Sequence, residues 1–412
     1  MGRVEALRCV SCGSEYDPDR IDYTCPACGS RRGTLEVLYD YDALRHNLTR
    51  RTFADTERAS MWRYLALLPI DGTDRIQPLR VGWTPLYRFP GLAAEFGLSD
   101  LFVKDDGQNP TASYKDRASS VVVIKALEKR HPVVTCASTG NAASSLAGFA
   151  AATPLETIIF VPRTAPEAKV AQLLVYGARV FLVDGSYDVA YDLAAEASER
   201  FGWYNRSAAV NPYLVEGKKT GALELAEQLD WSPPDTVFVS VGDGSVISGI
   251  CKGFSELEQL GLIERRPQVI GVQAEGAAPI AAAFDGYAGG DVTIEDIDAS
   301  TIADSICVGA PRDIVKAVKY VHASGGRFVT VPDAAILDAM ATLARRTGVF
   351  AEPAGAAAFA GLRASVEAGR VAGMSAAVMV TGSGLKDIAS VHAAVGEPIA
   401  IEPSLHAVEE HL

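Results

Sequence analysis

From about Gly82 onward, short β-branched runs alternate with amphipathic helical stretches, and this rhythm constrains the fold of the chain more than any other feature. Candidate strands fall at 101–104, 133–137, 157–161, 179–183, 236–241, 268–273 and 377–381, with helical patterns between them at 165–176, 186–201 and 336–347. Strands that alternate with helices imply parallel sheets covered on both faces, an α/β fold. In such folds chemistry gathers where strands end and helices begin. At about 150 residues per domain, 412 residues suggest two or three domains, and 48% apolar residues can fill their cores. That composition excludes disorder, collagen and a small disulfide-stapled scaffold.

The charge balance narrows the partners. With 38 Lys+Arg against 51 Asp+Glu the chain carries a net charge of −13, which argues against a nucleic-acid partner and favours solubility. No apolar run reaches the roughly 18–20 residues that cross a bilayer, so no membrane partner is expected. The opening MGRVEALRCVSCG has no apolar core of a signal peptide. With 7 cysteines, an odd number, the reading is a reducing cytoplasm.

Four of those cysteines cluster. Cys9-Val-Ser-Cys12 and Cys25-Pro-Ala-Cys28 form two knuckles, each followed by a glycine that permits a tight turn. Two facing knuckles create a tetrahedral four-sulfur site suited to structural Zn²⁺, with no open coordination position. Neither pair precedes a helix in a βαβ unit, as a redox pair should. Free thiols or a metal-free ribbon are the alternatives. The ribbon is expected to end near Tyr39, apart from the active centre; residues 41–80, with Trp62, Leu65 and Leu68 at helical spacing, read as a linking arm.

Three loops stand out. Asn109-Pro110-Thr111-Ala112-Ser113-Tyr114-Lys115-Asp116-Arg117 enters a helix and puts Lys115 in its first turn, where the helix dipole and burial lower an amine's pKa. An ordinary surface lysine is the other reading. Ala137-Ser138-Thr139-Gly140-Asn141-Ala142 opens a second helix with N–H groups and hydroxyls suited to an anion, or with simple capping by Ser138 or Thr139. Gly242-Asp243-Gly244-Ser245-Val246 follows a strongly apolar strand and makes a phosphate cradle, although Ile247 breaks the dinucleotide fingerprint. Gly217-Lys218-Lys219-Thr220 fails as an ATP loop because Pro212 stands where its first glycine belongs. The six histidines lie in no spacing that suggests a triad or metal site. A helix-start lysine plus a separate phosphate cradle suggests a cofactor with an aldehyde and a phosphate, pyridoxal phosphate.

These residues resemble a known family. NPTASYKDR is similar to the cofactor-lysine motif of fold-type-II pyridoxal-phosphate enzymes, specifically threonine synthases. ASTGNAAS resembles their asparagine loop, VGDGSVISG their phosphate loop, and Thr381-Gly382-Ser383-Gly384-Leu385-Lys386-Asp387 their C-terminal TGxGLKD. The match covers roughly residues 80–390 and includes Glu352-Pro353-Ala354. It implies two open, twisted, mostly parallel sheets covered by helices, plus the small zinc-ribbon-like unit. The domains implied are 1–40 (ribbon), 41–80 (arm), 81–119 with 211–412 (large, cofactor-binding) and 120–210 (small, inserted). By the same resemblance Lys115 carries the cofactor and acts as base at Cα. Asn141 binds the ring hydroxyl; Gly242, Asp243, Gly244, Ser245 and Val246 bind the phosphate; Thr381 or Ser383 faces the ring nitrogen. A hydroxyl there disfavours transamination and favours elimination. Ser138, Thr139, Gly140 and Asn141 would hold the substrate, a small amino acid, in a homodimer.

On the substrate side the sequence departs from the family pattern. Ala142 replaces a threonine, Ala209 a serine, Leu214 an arginine and Asp243 an asparagine, while Lys218 replaces a glutamine. The pocket expected from the sequence is therefore short of one cation. Two enzymatic functions follow. One is threonine synthase itself, converting O-phospho-L-homoserine and water to L-threonine and phosphate. The alternative is a related β-elimination or β-replacement enzyme, dehydratase-like or cysteate-synthase-like. A non-catalytic domain with a degenerate pocket is the third reading, opposed by the nearly intact cofactor side. Cys136, Cys251 and Cys307 read as small buried residues.

Overall fold

The computed structural model describes residues 4–165, 167–208, 210–396 and 398–412. Its larger sheet has six strands in the order β12-β11-β10-β13-β5-β4. They are β4 (Leu86–Arg88), β5 (Asp100–Asp105), β10 (Thr236–Ser240), β11 (Gln268–Ala274), β12 (Arg327–Val331) and β13 (Ser375–Val380). All pairings are parallel except that of the edge strand β4 with β5. The second sheet, entirely parallel, runs β8-β7-β6-β9 from Arg179–Val183, Glu156–Pro162, Val133–Ala137 and Tyr204–Asn205. Its strands all come from one continuous stretch, whereas the six-stranded sheet draws on chain before and after it. Every candidate strand is found within a residue or two. Strand β12 and the helix Pro353–Glu367 are not among the candidates, although β12 has the β-branched and aromatic run of the others. That helix is alanine-rich and almost wholly buried, so no polar face marks its period.

Two long helices cross the centre. Lys115–Glu128 and Tyr213–Gln228 are buried along nearly their whole length, and the β-branched run Val121–Ile124 packs inside the first. They bring charges into the core as a closed network. Arg117 donates to both Asp106 and Glu224 at 2.6 Å, and Lys104 reaches Glu224 at 2.8 Å, all with fully buried side chains. Such a network is retained only when every member is paired.

The cysteine unit is the antiparallel sheet β2-β1-β3, formed by Glu15–Tyr16, Val4–Cys9 and Leu35–Tyr39. The stretch 41–80 forms short helices, including a 3₁₀ segment at Met61–Leu67 where longer α-helical periodicity was expected. The ribbon is not a loose appendage. The main-chain oxygens of Leu35 and Val37 in β3 accept from buried Lys316 and Lys252 at 3.0 and 2.8 Å. Tyr39 donates to buried Glu216 at 2.7 Å. The ribbon thereby adds hydrogen bonds to buried charges that also pair with one another, Lys252 with Glu216 and Lys316 with Asp313. Of the other cysteines, Cys136 and Cys251 are buried and Cys307 is half-buried.

Candidate active site

The helix that begins at Lys115 is aimed by the loop before it. The Thr111 backbone N–H donates to Asp116 at 2.6 Å, and the Thr111 hydroxyl bonds the same carboxylate. Tyr114 N–H donates to the Thr381 carbonyl at 2.9 Å, and Ser113 bridges Gly382, so the loop is stitched to the end of β13. Lys115 is half-buried, and its amine has no hydrogen bond or ion pair among the described residues. Burial lowers its pKa, and Arg206 adds to that; Glu352 and Asp243 oppose it.

Facing it, the Gly-rich turn after β10 enters the helix Ser245–Gln259 through Gly244, whose φ of +95° few side chains could adopt. No side chain caps that helix, so its first N–H groups remain available. A Cβ at Gly242 would stand 2.8 Å from the Ile306 Cα, so the turn closes only with glycine. Asp243 accepts from the Arg312 N–H at 2.7 Å, while its other oxygen is buried without a partner. Burial pushes its carboxyl up to about 6, with Asp313 adding to the rise. Lys218, fully buried, bonds the Ser245 hydroxyl, and burial with Lys115 and Arg206 drives its amine well down.

The loop after β6 enters the helix Asn141–Ala150. Its N-cap is Gly140, with no side-chain cap bond; Ser138 instead accepts from the Gly140 N–H at 3.1 Å. Capping by Ser138 or Thr139 is thus excluded, and the helix start is open toward the cleft. Asn141 donates to Glu352 at 2.7 Å, a contact that joins residues 211 apart in sequence.

These elements surround one cavity of about 960 Å³. It is lined by Lys115, the 138–142 loop, the 241–247 turn, Arg206, Lys218 and Thr381, together with Glu352. That volume is ample for a cofactor with a small substrate. Ser383 does not line it; its hydroxyl accepts from Leu385 N–H at 3.4 Å. Of the two hydroxyls proposed for the ring nitrogen, only Thr381 faces the cleft. A smaller space of about 370 Å³ lies beyond Asn141 and Glu352, beside Lys386.

The substrate-side departures now have places. Ala142 lines the cavity, Leu214 is wholly buried in an apolar cluster outside it, and Ala209 lies outside the described residues. Cations and carboxylates share the lining of the cavity, with Asp192, Asp243, Asp296, Asp298, Asp304 and Glu352 on the acidic side. Arg206 and Lys218 both line the cavity, and Arg312 lies at its edge with its guanidinium 4.7 Å over the Tyr191 ring. The ribbon also reaches the rim through Arg31, which pairs with Asp296 at 2.5 Å, contrary to its expected separation from the active centre. Arg206 was missed because it follows β9, a strand only two residues long with no periodic signal.

Among the cysteines, the four sulfurs of Cys9, Cys12, Cys25 and Cys28 all lie within 4.8 Å of one another. Cys12 and Cys25 are 3.8 Å apart, close to the roughly 3.8 Å edge of a tetrahedron with Zn–S bonds of about 2.3 Å. The donor set fits zinc. The cleft likewise fits pyridoxal phosphate: an unpartnered amine, an uncapped helix start behind a glycine turn, a hydroxyl and an amide converge on one space.

Comparison with known proteins agrees. Residues 78–382 match the family described as pyridoxal-phosphate dependent enzyme. A threonine synthase of Methanocaldococcus jannaschii is 40% identical over 98% of both chains, and one of Methanosarcina acetivorans 37% identical over the same share. Among solved structures, the diaminopropionate ammonia lyase of Escherichia coli superposes with a TM-score of 0.67 at 18% identity, over 84% of this chain and 92% of that one. A tomato threonine deaminase gives 0.65 at 23%, over 76% and 87%. The chain belongs to the pyridoxal-phosphate-dependent enzymes, in the threonine synthase family, a lyase class with the fold-type-II architecture.

Proposed function

We propose that this protein is a threonine synthase acting on O-phospho-L-homoserine. The observation that carries the reading is the convergence of Lys115, Lys218, Arg206 and the uncapped helix starts at Gly140 and Gly244 on one cavity, in a chain 40% identical over 98% of its length to a threonine synthase. When bound, pyridoxal phosphate supplies an electron sink for bond breaking at the substrate's carbons. Gly242 to Val246 offer backbone N–H groups to its phosphate, with the Lys218 amine behind them on the Ser245 hydroxyl. Thr381 offers a hydroxyl, not a carboxylate, to the ring nitrogen, which supports elimination over transamination. Asn141, held by Glu352, orients the ring hydroxyl.

Lys115 is the base. With its amine's pKa lowered by burial and by Arg206, more of it stays unprotonated near neutral pH, ready to take and return protons. The loop Ser138-Thr139-Gly140-Asn141 receives the substrate carboxylate. Overall the Cγ–O bond to phosphate breaks, a proton moves from Cβ to Cγ, and water adds its hydroxyl to Cβ while its other proton goes to the released phosphate. Closing the four-stranded unit, about residues 120–210, over the substrate would exclude water until the phosphate leaves. Zinc held by Cys9, Cys12, Cys25 and Cys28, a homodimer and a cytoplasmic location complete the proposal. The odd cysteine number supports the last; no helix among the described residues is long and apolar enough to cross a membrane.

The test of activity is direct. Incubated with O-phospho-L-homoserine, the enzyme should release phosphate and L-threonine in equal amounts; phosphate without threonine would reject the reading. For the metal, Cys9→Ser with Cys12→Ser should remove bound zinc by elemental analysis, and unchanged zinc would refute the site.

A further inference from the structure

We propose that Arg31 and Arg32 of the cysteine unit are positioning residues of the cleft, clamping the strap that forms its outer rim. The inference goes beyond the threonine synthase reading, because it holds for any substrate that this cleft takes.

The strap runs from Gly286 to Asp313, between the helices Pro279–Asp285 and Ile314–Ala323, with a single 3₁₀ turn at Asp304–Ile306. So long a connection with so little structure of its own is commonly a working part of a site. Asp296, Ile297 and Ala299 line the cavity from it, as do Ile306 and Val308. Its later half is fastened to the turns that follow β11 and β10. Ser300 N–H donates to the Gly276 carbonyl at 2.9 Å, and Asp313 N–H to the Asp243 carbonyl at 3.1 Å. The early half is fastened differently. Val292 is buried in the core and Ile294 packs against it. Among the described residues, every hydrogen bond and ion pair that ties 288–296 to the rest of the protein comes from the cysteine unit. Arg31 pairs with Asp296 at 2.5 Å. Arg32 donates to the Val292 carbonyl at 3.2 Å and lies 3.7 Å from Asp291.

Both arginines sit on the one-turn helix Gly29–Arg32, directly after Cys28, and both cysteine knuckles hold that turn. Gly29 N–H donates to the Cys25 carbonyl at 2.9 Å, and the Ser11 hydroxyl to the Arg32 carbonyl at 2.6 Å. The unit itself is bound to the catalytic body through Lys316, Lys252 and Glu216. A fixed support therefore carries two cations to an acidic strap, and the strap carries Asp296 and Ile297 to the cavity. Both ion pairs are partly exposed, so each alone is weak. Together they bear on a segment with few other ties, where small contributions decide how often it opens.

The experiment follows cleavage after the exposed Glu295 by a glutamate-specific protease, in cofactor-loaded parent and variants. The rate reports how often the strap opens. kcat and KM for O-phospho-L-homoserine are measured alongside. Arg31→Gln with Arg32→Gln should keep the cofactor's visible band and speed that cleavage about three- to tenfold. Cleavage at other glutamates should keep the parent's rate. KM should rise by a similar factor, because the loosened rim must be reordered around substrate, while kcat changes less than about twofold. Asp296→Asn should give a weaker form of the same pattern, and Arg31→Lys should retain most of the protection.

Unchanged cleavage after Glu295 in the double variant would overturn the clamp. So would a raised KM without faster cleavage, which would make the arginines substrate contacts, or faster cleavage with KM unchanged, which would leave the strap outside the site. Loss of the visible band in folded protein would also overturn it, by assigning the pair to the cofactor. If cleavage depends on the pair but the parent enzyme makes no threonine, the clamp stands and the proposed function falls.

Discussion

The two walls of the cleft are made of different material. The wall on the six-stranded sheet is mostly backbone: a glycine turn, an uncapped helix start, and Lys115 locked to β13 by main-chain bonds. The wall on the four-stranded sheet relies more on side chains, with Asn141 and Arg206 brought in from separate strand ends. A backbone site leaves a strict mark in sequence, because only certain residues permit the geometry. Gly244 sits at φ +95° and Gly242 has no room for a Cβ. A side-chain site is freer, since a charge can be delivered from any element that ends at the cavity.

The largest expected effect lies on the backbone wall. Lys115→Ala should lower kcat by at least about 10³-fold. It should also abolish the visible band of the lysine-bound cofactor; a variant that kept both would remove Lys115 from the site.

Beneath both walls, Glu224 pairs with Arg117 and Lys104. Glu224→Gln should cost about 3–5 kcal/mol in urea unfolding, because it leaves buried cations without their full complement. Burial raises the Glu224 carboxyl, but Arg117 and Lys104 outweigh that and hold it at about 2. Its folded pKa is therefore depressed, so its contribution is complete above the ordinary value near 4.5 and fades as the pH falls toward about 2. The gap between parent and Glu224→Gln should narrow over that window. A pH-independent gap would mean that Glu224 is not ionised in the folded protein.

A smaller effect sharpens the contrast between the walls. Gly244→Ala places a Cβ at a left-handed turn, a strain of about 1–3 kcal/mol. Cofactor affinity, followed by absorption after resolution and reconstitution, should drop roughly tenfold. An undisturbed affinity would show that the turn does not hold the phosphate.

Much of this was legible in the sequence where function depends on local geometry. The strands, the helix start at Lys115 and the glycine turn are each set by neighbouring residues. So are the paired cysteine knuckles, whose sulfurs converge as their spacing implies. What escaped was set by distance. Asn141 meets Glu352 across 211 residues, Arg31 reaches the cavity rim from the ribbon, and Arg206 follows a strand too short to show a period. Composition gives an acidic protein, and the family resemblance implies a pocket with a cation missing. The tertiary fold gathers Lys115, Lys218 and Arg206 into one space with Asp243 and Glu352. Of Thr381 and Ser383, two residues apart, Thr381 lines the cavity and Ser383 does not, a difference set by the fold.

The most direct measurement is a side-by-side determination of kcat/KM for O-phospho-L-homoserine, L-serine and L-threonine with the zinc- and cofactor-loaded enzyme. The expected result is a preference for the phosphorylated substrate of at least about 10²-fold, in keeping with a site built to bind a charged group that the other two lack. A higher kcat/KM for deamination of L-serine or L-threonine would contradict it.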